Sequence, residues 1–141
     1  MDLCSKKIVG WDVQNHMRES LVTASLQKAF SRRRITAALI IHSDWGGQYG
    51  ANNFRRLLNT PLLSQSMSGR DNPYDNAHME SFFSRLKAEL MQGRPFRDAD
   101  YCRQEIFEYI EMYYNPRRLH SLLGYNSPDE YEKLLHENQM S

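Results

Sequence analysis

The 141-residue sequence has few cysteines, no long apolar run and almost no net charge. Its two cysteines, Cys4 and Cys102, are too few and too far apart in sequence for a disulfide framework or a zinc site. No run of about 18 apolar residues is present, so no membrane-spanning helix is expected. The first ten residues also lack the apolar stretch of a signal peptide. These absences exclude disulfide-stabilised and membrane-spanning proteins, and they predict a chain that folds in a reducing cytoplasm.

The charge is balanced overall but unevenly distributed along the chain. There are 18 lysines and arginines against 17 aspartates and glutamates, so the net charge of +1 does not by itself indicate nucleic-acid binding. Basic residues cluster in four short runs, which are Lys6-Lys7, Arg32-Arg33-Arg34, Arg55-Arg56 and Arg117-Arg118. Runs of this kind are usually solvated helix faces, although they can also contact phosphates, and both interpretations stay open.

The spacing of apolar residues predicts alternating strands and helices. Short β-prone or apolar runs predict strands over residues 6–13, 37–41 and 62–67. Helical spacing predicts helices over about 17–31, 51–59, 73–92, 98–114 and 128–136. This alternation predicts an α/β domain with strands sandwiched by helices. With 40% hydrophobic and 11% aromatic residues, the chain is long enough to bury the core of one domain.

Capping residues mark two of the predicted helices. Asn72 is a favourable N-cap before Pro73, and Ser127 is a favourable N-cap before Pro128. Gly93 predicts the end of the helix that starts near Pro73. The tyrosines of the following helix fall at near-helical spacing and are predicted to be core residues: Tyr101, Tyr109, Tyr113 and Tyr114.

Asp44 directly follows the predicted strand 37–41, within the string HSDWGGQY of residues 42–49. In open α/β sheets, ligand sites form beyond the carboxyl ends of the strands, so a carboxylate at this position is well placed to face a metal ion. Aspartate before glycine is also common in turns, so a role as a turn residue or helix cap stays open. The string alone does not decide between these two roles.

Glu80 lies one to two turns into the helix predicted from Pro73. Helical spacing places it, together with Lys87, just beyond one edge of the apolar stripe formed by Met79, Phe82, Leu86 and Leu90. A surface glutamate is the simpler interpretation of Glu80 alone. Asp44 and Glu80 together, with 35 residues between them, supply oxygen ligands from a strand end and from a helix. That arrangement suits the converging carboxylates that two-metal nucleotidyl transfer needs.

Three long strings in the sequence carry a family resemblance. They are HSDWGGQY at 42–49, YDNAHMESFFSRLKAE at 74–89 and YNPRRLHSLLGYNSP at 114–128. In this order and with this gap, the strings resemble the second reading frame of insertion-sequence transposases of family three. They also resemble the catalytic core of retroviral integrases. The resemblance covers nearly the whole chain, because the segment from Asp2 to Trp11 is similar to the family's preceding strand.

The resemblance implies an RNase H-like integrase-core fold, with a mixed sheet flanked by helices. It implies a D-D-E triad that binds two Mg²⁺ or Mn²⁺ ions, in which Asp44 matches the second aspartate and Glu80 matches the glutamate. Lys87 matches a basic residue that lies against the DNA. We expect residues 1–125 to form a partial catalytic core and residues 126–141 to form a C-terminal helical tail.

The resemblance also implies DNA as the partner, both as element ends and as target. The expected reaction is hydrolysis at the element ends, followed by attack of a 3′-hydroxyl on target DNA. The residues expected to contact DNA, besides Lys87, are His42, Tyr74, Asn76, Arg117, Arg118 and His120. For His42 a structural, hydrogen-bonded role stays open. Asn115, Arg117, Arg118 and His120 could equally hold the last two helices together.

Other partners follow from the same resemblance. We expect a homo-oligomer or an assembly with full-length transposase, no membrane association, and a bacterial cytoplasmic location with the nucleoid.

The sequence departs from the family pattern in three places. The family's first aspartate lies on an earlier strand, and neither Asp2 nor Asp12 matches it, so the first strands are expected to be missing. Trp45 stands where the family usually has arginine. The N-terminal helix-turn-helix that recognises element ends is also not matched. Without the first strands, the isolated chain is expected to be destabilised or oligomeric.

These departures leave three functional hypotheses. The chain is part of an active transposase whose triad is completed by an upstream segment, or it is an inactive remnant, or it is a non-catalytic DNA-binding or multimerising module. A start at Met1 inside the domain favours the remnant for the isolated chain.

Overall fold

The computed structural model describes residues 1–69, 76–91 and 97–139. Contacts divide the chain into two compact units, one formed by Val9–Phe83 and the other by Met1–Ile8 together with Ser84–Ser141. The C-terminal residues therefore belong to the same unit as the first eight residues. The expected boundary near residue 125 stays a prediction.

The Val9–Phe83 unit contains the parallel sheet. Helix α1 spans Glu19–Arg32, strand β1 spans Leu39–Ser43, helix α2 spans Asn52–Leu57 and strand β2 spans Leu63–Met67. A 3₁₀-helix, Gly47–Gly50, lies between β1 and α2. The two strands pair in parallel, from Leu39 opposite Leu63 to Ser43 opposite Met67. The predicted strands 37–41 and 62–67 and the helices near 17–31 and 51–59 are confirmed within a few residues.

An apolar core joins these elements. Phe54, Leu58 and Leu63 are buried at its centre, and the partly buried side chains packed against them are Val22, Leu26, Phe30, Ile35, Ile41 and Tyr49. Glu19 in the first turn of α1 also fixes α2, because its Oε1 accepts the backbone N–H of Phe54 at 3.0 Å. That bond satisfies one of the free N–H groups at the start of α2.

The predicted strand over residues 6–13 is wrong, because no residue of this segment belongs to a sheet. The chain first turns back on itself, where Asp2 N–H donates to the Lys7 carbonyl at 2.8 Å and Lys6 has a φ of 59°. Gly10 then lies tightly against α1, where an added Cβ would clash with the Ser25 carbonyl oxygen. The β propensity of this segment has no neighbouring strand to satisfy it within the described residues.

The second unit is helical. Helix α3 spans Ala77–Leu86, and its last residues, from Ser84, belong to this unit. It continues as a π-helix over Lys87–Met91. Helix α4, Ala99–Phe107, continues as a π-helix over Glu108–Tyr114 and then as the short helix α5, Asn115–Arg117. After a 3₁₀-helix at Ser121–Leu123, helix α6 spans Pro128–Gln139. The predicted N-cap Asn72, Pro73 and the predicted stop at Gly93 lie outside the described residues.

Capping explains where α4 and α6 begin. Asp98 accepts the backbone N–H of Tyr101 at 2.8 Å at the start of α4. At the start of α6, Ser127 and Glu130 exchange hydrogen bonds, with Ser127 N–H to Glu130 Oε2 at 2.9 Å and Glu130 N–H to Ser127 Oγ at 3.3 Å. This reciprocal arrangement is a capping box, and it confirms the predicted start of the last helix.

The predicted burial of the tyrosines is half confirmed. Tyr109 and Tyr114 are buried, whereas Tyr101 and Tyr113 are exposed. Among the described helices, none combines the length and apolar character needed to cross a membrane.

Candidate active site

Short polar contacts shape the loop that carries Asp44. Asp44 Oδ1 accepts the backbone N–H of Gly46 at 2.8 Å, and Ser43 Oγ donates to the Asp44 carbonyl oxygen at 3.1 Å. Gly46 lets these side chains lie close to the backbone, because a Cβ there would lie 2.9 Å from both Asp44 Oδ1 and Gln48 Oε1 and would displace them. The loop therefore fixes one oxygen of the Asp44 carboxylate directly beyond the carboxyl end of β1.

The rest of the loop is held on three sides. Gln48 Nε2 donates to the Met17 carbonyl at 3.0 Å, just before α1. Gln65 Nε2, on β2, donates to the Tyr49 carbonyl at 2.9 Å. The Tyr49 ring packs edge-on against Phe54 of α2, with 5.3 Å between ring centroids. These contacts fix the backbone that follows Asp44.

The Asp44 side chain is exposed and fits the role of a metal ligand. Within the described residues, its Oδ2 takes part in no hydrogen bond or ion pair. Carboxylate oxygens are the ligands that hard divalent cations prefer. Burial, with a smaller contribution from the charge of Asp44, raises the pKa of Tyr49, so the neighbouring phenol stays neutral and does not compete for a cation.

The structure gives His42 a structural environment. Its Nδ1 lies 3.0 Å from Ser66 Oγ and its Nε2 lies 3.2 Å from Ser68 Oγ, so both ring nitrogens have hydroxyl partners on or just beyond β2. This pairing links the two strands where Asp44 follows. A DNA contact by His42 stays a prediction, and the geometry favours the structural alternative.

Glu80 lies in the first turn of α3 and is exposed. The apolar stripe predicted for this helix is largely confirmed, because Phe82 is buried and Met79 and Leu86 are half-buried. Phe83 points outward, with 48% of its surface exposed. Glu80 therefore carries a solvent-accessible carboxylate in the same compact unit as Asp44.

The other residues of this region that are expected to contact DNA differ in how exposed they are. Asn76 is half-buried immediately before α3, and Lys87 is exposed at the start of the π-helical continuation. Tyr74 lies outside the described residues. Their roles toward DNA stay predictions.

Arg118 belongs to a polar network inside the helical unit. Its Nη1 donates to both carboxylate oxygens of Glu89, at 2.7 and 2.6 Å, and the Tyr109 hydroxyl donates to Glu89 at 2.8 Å. Glu89 and Tyr109 were not identified as partners of Arg118 from the sequence. This geometry favours the alternative in which Arg118 holds the last helices together.

Asn115 is also structural, and it joins the two ends of the unit. Its Oδ1 accepts the Ile8 N–H at 2.9 Å and its Nδ2 donates to the Ile8 carbonyl at 3.0 Å, with both residues buried. His120 packs edge-on against Tyr114, 5.2 Å between centroids. Burial, together with Arg118 and other nearby cations, lowers the pKa of His120. Of the predicted C-terminal DNA contacts, Arg117 is exposed.

The Glu89 network makes the stability of the helical unit depend on acid pH. Burial acts to raise the pKa of Glu89, but the hydrogen bonds from Arg118 and Tyr109 outweigh it and hold this pKa below its ordinary value of 4.5. The unfolded chain therefore binds the proton first as pH falls. The stability from this group is complete above the unfolded pKa and is lost as pH falls through the folded pKa.

We expect Glu89→Gln to be less stable than the parent at pH 7 and to approach it toward pH 3, because the variant has no carboxylate to protonate. Urea midpoints measured between pH 7 and pH 3 check this. Glu108→Gln, in the same unit, is the matched control and should follow the parent, because Glu108 is exposed and a glutamine there keeps an oxygen for the bond from Gln104 Nε2. An unchanged difference between Glu89→Gln and the parent at every pH would contradict the assignment.

The sequence held signals for some contacts that were missed. Serines alternate along LSQSMS at 63–68, so Ser66 of β2 and Ser68 just beyond it lie on the same side of the chain, and both contact His42. The glycine two residues after Asp44 indicated a tight turn at this position. The pairing of Ile8 with Asn115 had no such signal, because the two residues lie far apart in sequence.

No group of three or more His, Cys, Asp or Glu side chains is placed to hold a metal ion within residues 1–69, 76–91 and 97–139. Two residues of the predicted triad, Asp44 and Glu80, lie within these described residues. The approach of these two residues to one another stays a prediction.

Two family matches cover most of the chain. Residues 1–73 match an integrase core domain family, and residues 80–134 match a second family with the same description. The first match alone spans more than half of the chain. The chain therefore belongs to the integrase core domain family, and the α/β, RNase H-like fold class predicted from the sequence is confirmed.

The curated proteins to which the chain is similar are transposases of insertion sequences. The chain is 42% identical, over 94% of its length, to the transposase for insertion sequence element IS904 from Lactococcus lactis, and covers 53% of that protein. It is 39% identical, over 94% of its length, to transposase InsF for insertion sequence IS3A from Escherichia coli K12, and covers 46% of that protein. The predicted resemblance to family-three transposases is confirmed, and the chain spans about half the length of these curated relatives.

Proposed function

We propose that this chain forms part of the catalytic core of an insertion-sequence transposase, and that it takes part in metal-dependent cleavage and transfer of DNA strands. The relatives' names and the three matching strings support this function. The observation that carries it is Asp44, an exposed carboxylate held directly beyond the carboxyl end of β1, with one oxygen bonded to Gly46 and the other available.

Asp44 and Glu80 are the residues that we propose to hold the metal ions. Bound Mg²⁺ or Mn²⁺ would activate the attacking oxygen and stabilise the leaving oxygen of the phosphodiester. The hydrogen bond from Gly46 orients Asp44 before an ion arrives, so less freedom is lost on binding. Lys87 and Arg117 are exposed cations that we assign to DNA phosphates, for which their charge is suited.

The edge of β1 that does not face β2 is the position where we expect the first aspartate of the triad to lie. Within the described residues, β1 pairs with β2 only. A two-stranded sheet is marginal on its own, so a further strand at this edge would stabilise the fold. Because neighbouring strands lie about 5 Å apart, an acid near the end of such a strand would stand beside Asp44. We propose that a longer polypeptide supplies the first triad aspartate from that strand.

Titration of the chain with Mn²⁺ tests the metal-binding residues. We expect Asp44→Asn and Glu80→Gln each to weaken Mn²⁺ binding, because each replaces a charged oxygen ligand by an amide. Asp100→Asn and Glu137→Gln change exposed carboxylates in the helical unit and serve as matched controls. Equal Mn²⁺ affinity in all five proteins would contradict the proposed site.

Incubation with labelled DNA then tests the reaction. We expect Mn²⁺-dependent nicking or strand joining by the parent to fall to the metal-free level in Asp44→Asn and Glu80→Gln. Nicking that persists in both variants would contradict the assignment.

The alternative function is a catalytically inactive remnant that acts as a DNA-binding or multimerising module. Its basis is that neither Asp2 nor Asp12 matches the family's first aspartate. DNA binding without nicking, equal in the parent and both variants, would support this alternative. Oligomerisation and a cytoplasmic, nucleoid-associated location stay predictions.

A further inference from the structure

Trp45 is an exposed aromatic side chain beside the proposed metal ligand. It directly follows Asp44, and 63% of its surface is exposed. Within the described part of the chain, its indole makes no hydrogen bond, ring contact or cation–π contact. The other tryptophan, Trp11, is half-buried with Lys28 Nζ 5.7 Å from its ring centroid. Burial of Trp45 in the fold therefore does not explain its presence.

The backbone that carries Trp45 is held in place although the indole is free. Trp45 is the middle residue of the turn closed by the hydrogen bond between Asp44 Oδ1 and Gly46 N–H. The following residues are held by the bonds from Gln48 to Met17 and from Gln65 to Tyr49. A ligand that stacks on Trp45 would meet an indole carried on a positioned backbone, so little backbone freedom is lost on binding.

The position of Trp45 limits the kind of ligand. Adjacent Cα atoms are about 3.8 Å apart and both side chains are exposed, so a ligand of nucleotide size bound at Asp44 lies within reach of the indole. If Asp44 holds an ion at the reacting phosphate, the groups next to that phosphate are a sugar and a base. A base can offer its flat face to an indole only when it is not stacked in a duplex.

We propose, resting on the proposed function, that Trp45 stacks on an unpaired nucleotide beside the reacting phosphate, so that this site takes DNA with a frayed, mismatched or single-stranded nucleotide in preference to intact duplex. Stacking between bases and aromatic side chains tolerates any base, because every base has a π face. Trp45 therefore contributes a preference for DNA structure and not for base sequence.

DNA affinity of three proteins tests this proposal: the parent, Trp45→Ala and Trp45→Phe. The probes are an intact duplex and the same duplex with a short unpaired 3′ end. We expect Trp45→Ala to bind the unpaired-end DNA about 5- to 150-fold more weakly, with little change for the duplex. Trp45→Phe should retain most of the affinity. Because the indole is neutral, the salt dependence of binding should not change.

Fluorescence provides a direct readout of the contact. The sequence has two tryptophans, so Trp11→Phe leaves Trp45 as the only one. We expect its emission to be quenched by the unpaired-end DNA and not by the intact duplex. Tyr125→Ala removes another exposed aromatic, 72% exposed and in the other unit, and should leave both affinities unchanged.

The outcomes separate this proposal from the proposed function. If Asp44→Asn weakens Mn²⁺ binding while Trp45→Ala keeps its affinity for unpaired-end DNA, the stacking proposal is overturned and the metal site stands. If Asp44→Asn keeps its Mn²⁺ binding while Trp45→Ala loses the preference for unpaired-end DNA, the metal site at Asp44 is overturned and the stacking on Trp45 stands. Equal loss on both DNAs would also overturn it, as would a change of oligomeric state in Trp45→Ala, which would assign the indole to contacts between copies of the chain.

Discussion

Asn115→Ala is expected to lower the free energy of unfolding of the helical unit by about 3 kcal/mol, because it leaves two buried backbone groups without partners. The Asn115 side chain satisfies both the N–H and the carbonyl of Ile8, and both residues are 3% exposed. A buried polar group without a partner costs about 1–3 kcal/mol, and this substitution creates two of them.

Urea denaturation, together with hydrogen exchange of the amides of Ile8 and of α4, measures this loss. Asn138→Ala, an exposed asparagine on α6, is the matched control and should change the stability by less than about 0.5 kcal/mol. Asn115→Asp keeps the acceptor for the Ile8 N–H but not the donor to its carbonyl, so it too should be destabilised. A loss below about 1 kcal/mol in Asn115→Ala would mean that water or another group replaces the amide.

Phe54→Ala is expected to lower the stability of the Val9–Phe83 unit by about 3–5 kcal/mol. Phe54 is 2% exposed and lies at the centre of the core, in contact with Leu58, Leu63 and the edge of Tyr49. Its removal leaves a cavity between α1, α2 and the sheet. Because Tyr49 belongs to the loop after Asp44, we also expect weaker Mn²⁺ binding.

Hydrogen exchange of the β1 and β2 amides localises this loss to the sheet-containing unit. Phe83→Ala is the matched control, because Phe83 is in the same unit but 48% exposed, and its loss should be much smaller. Similar losses in the two variants would contradict the central place assigned to Phe54. Full protection of β1 and β2 in Phe54→Ala would do the same.

Local patterns were sufficient for much of the fold. The helices α1, α3, α4 and α6 were predictable because apolar residues recur at helical spacing, and Ser127 with Pro128 marked the start of α6. The strands β1 and β2 were predictable because their apolar or β-prone runs are short and end at polar residues. The position of Asp44 beyond the end of β1 followed directly from that assignment.

Features that depend on partners distant in sequence could not be predicted in the same way. The segment 6–13 has strand-forming residues, but its backbone meets Asn115 and α1 instead of another strand. Arg118 is one of two adjacent arginines in the sequence, and only the fold shows that it is bonded to Glu89 while Arg117 is exposed.

The union of the first eight residues with the C-terminal helices has a consequence for synthesis on the ribosome. Val9–Phe83 contains β1, β2, α1 and α2, so all residues of this unit have been made once residue 83 has emerged. Ile8 must wait for Asn115, and Ser5 must wait for Glu132, whose Oε1 accepts its hydroxyl at 2.8 Å. Closing such long loops is slow and entropically costly. Residues 1–8 are therefore among the last of the described residues to reach their place, after every residue of β1 and β2 has been made.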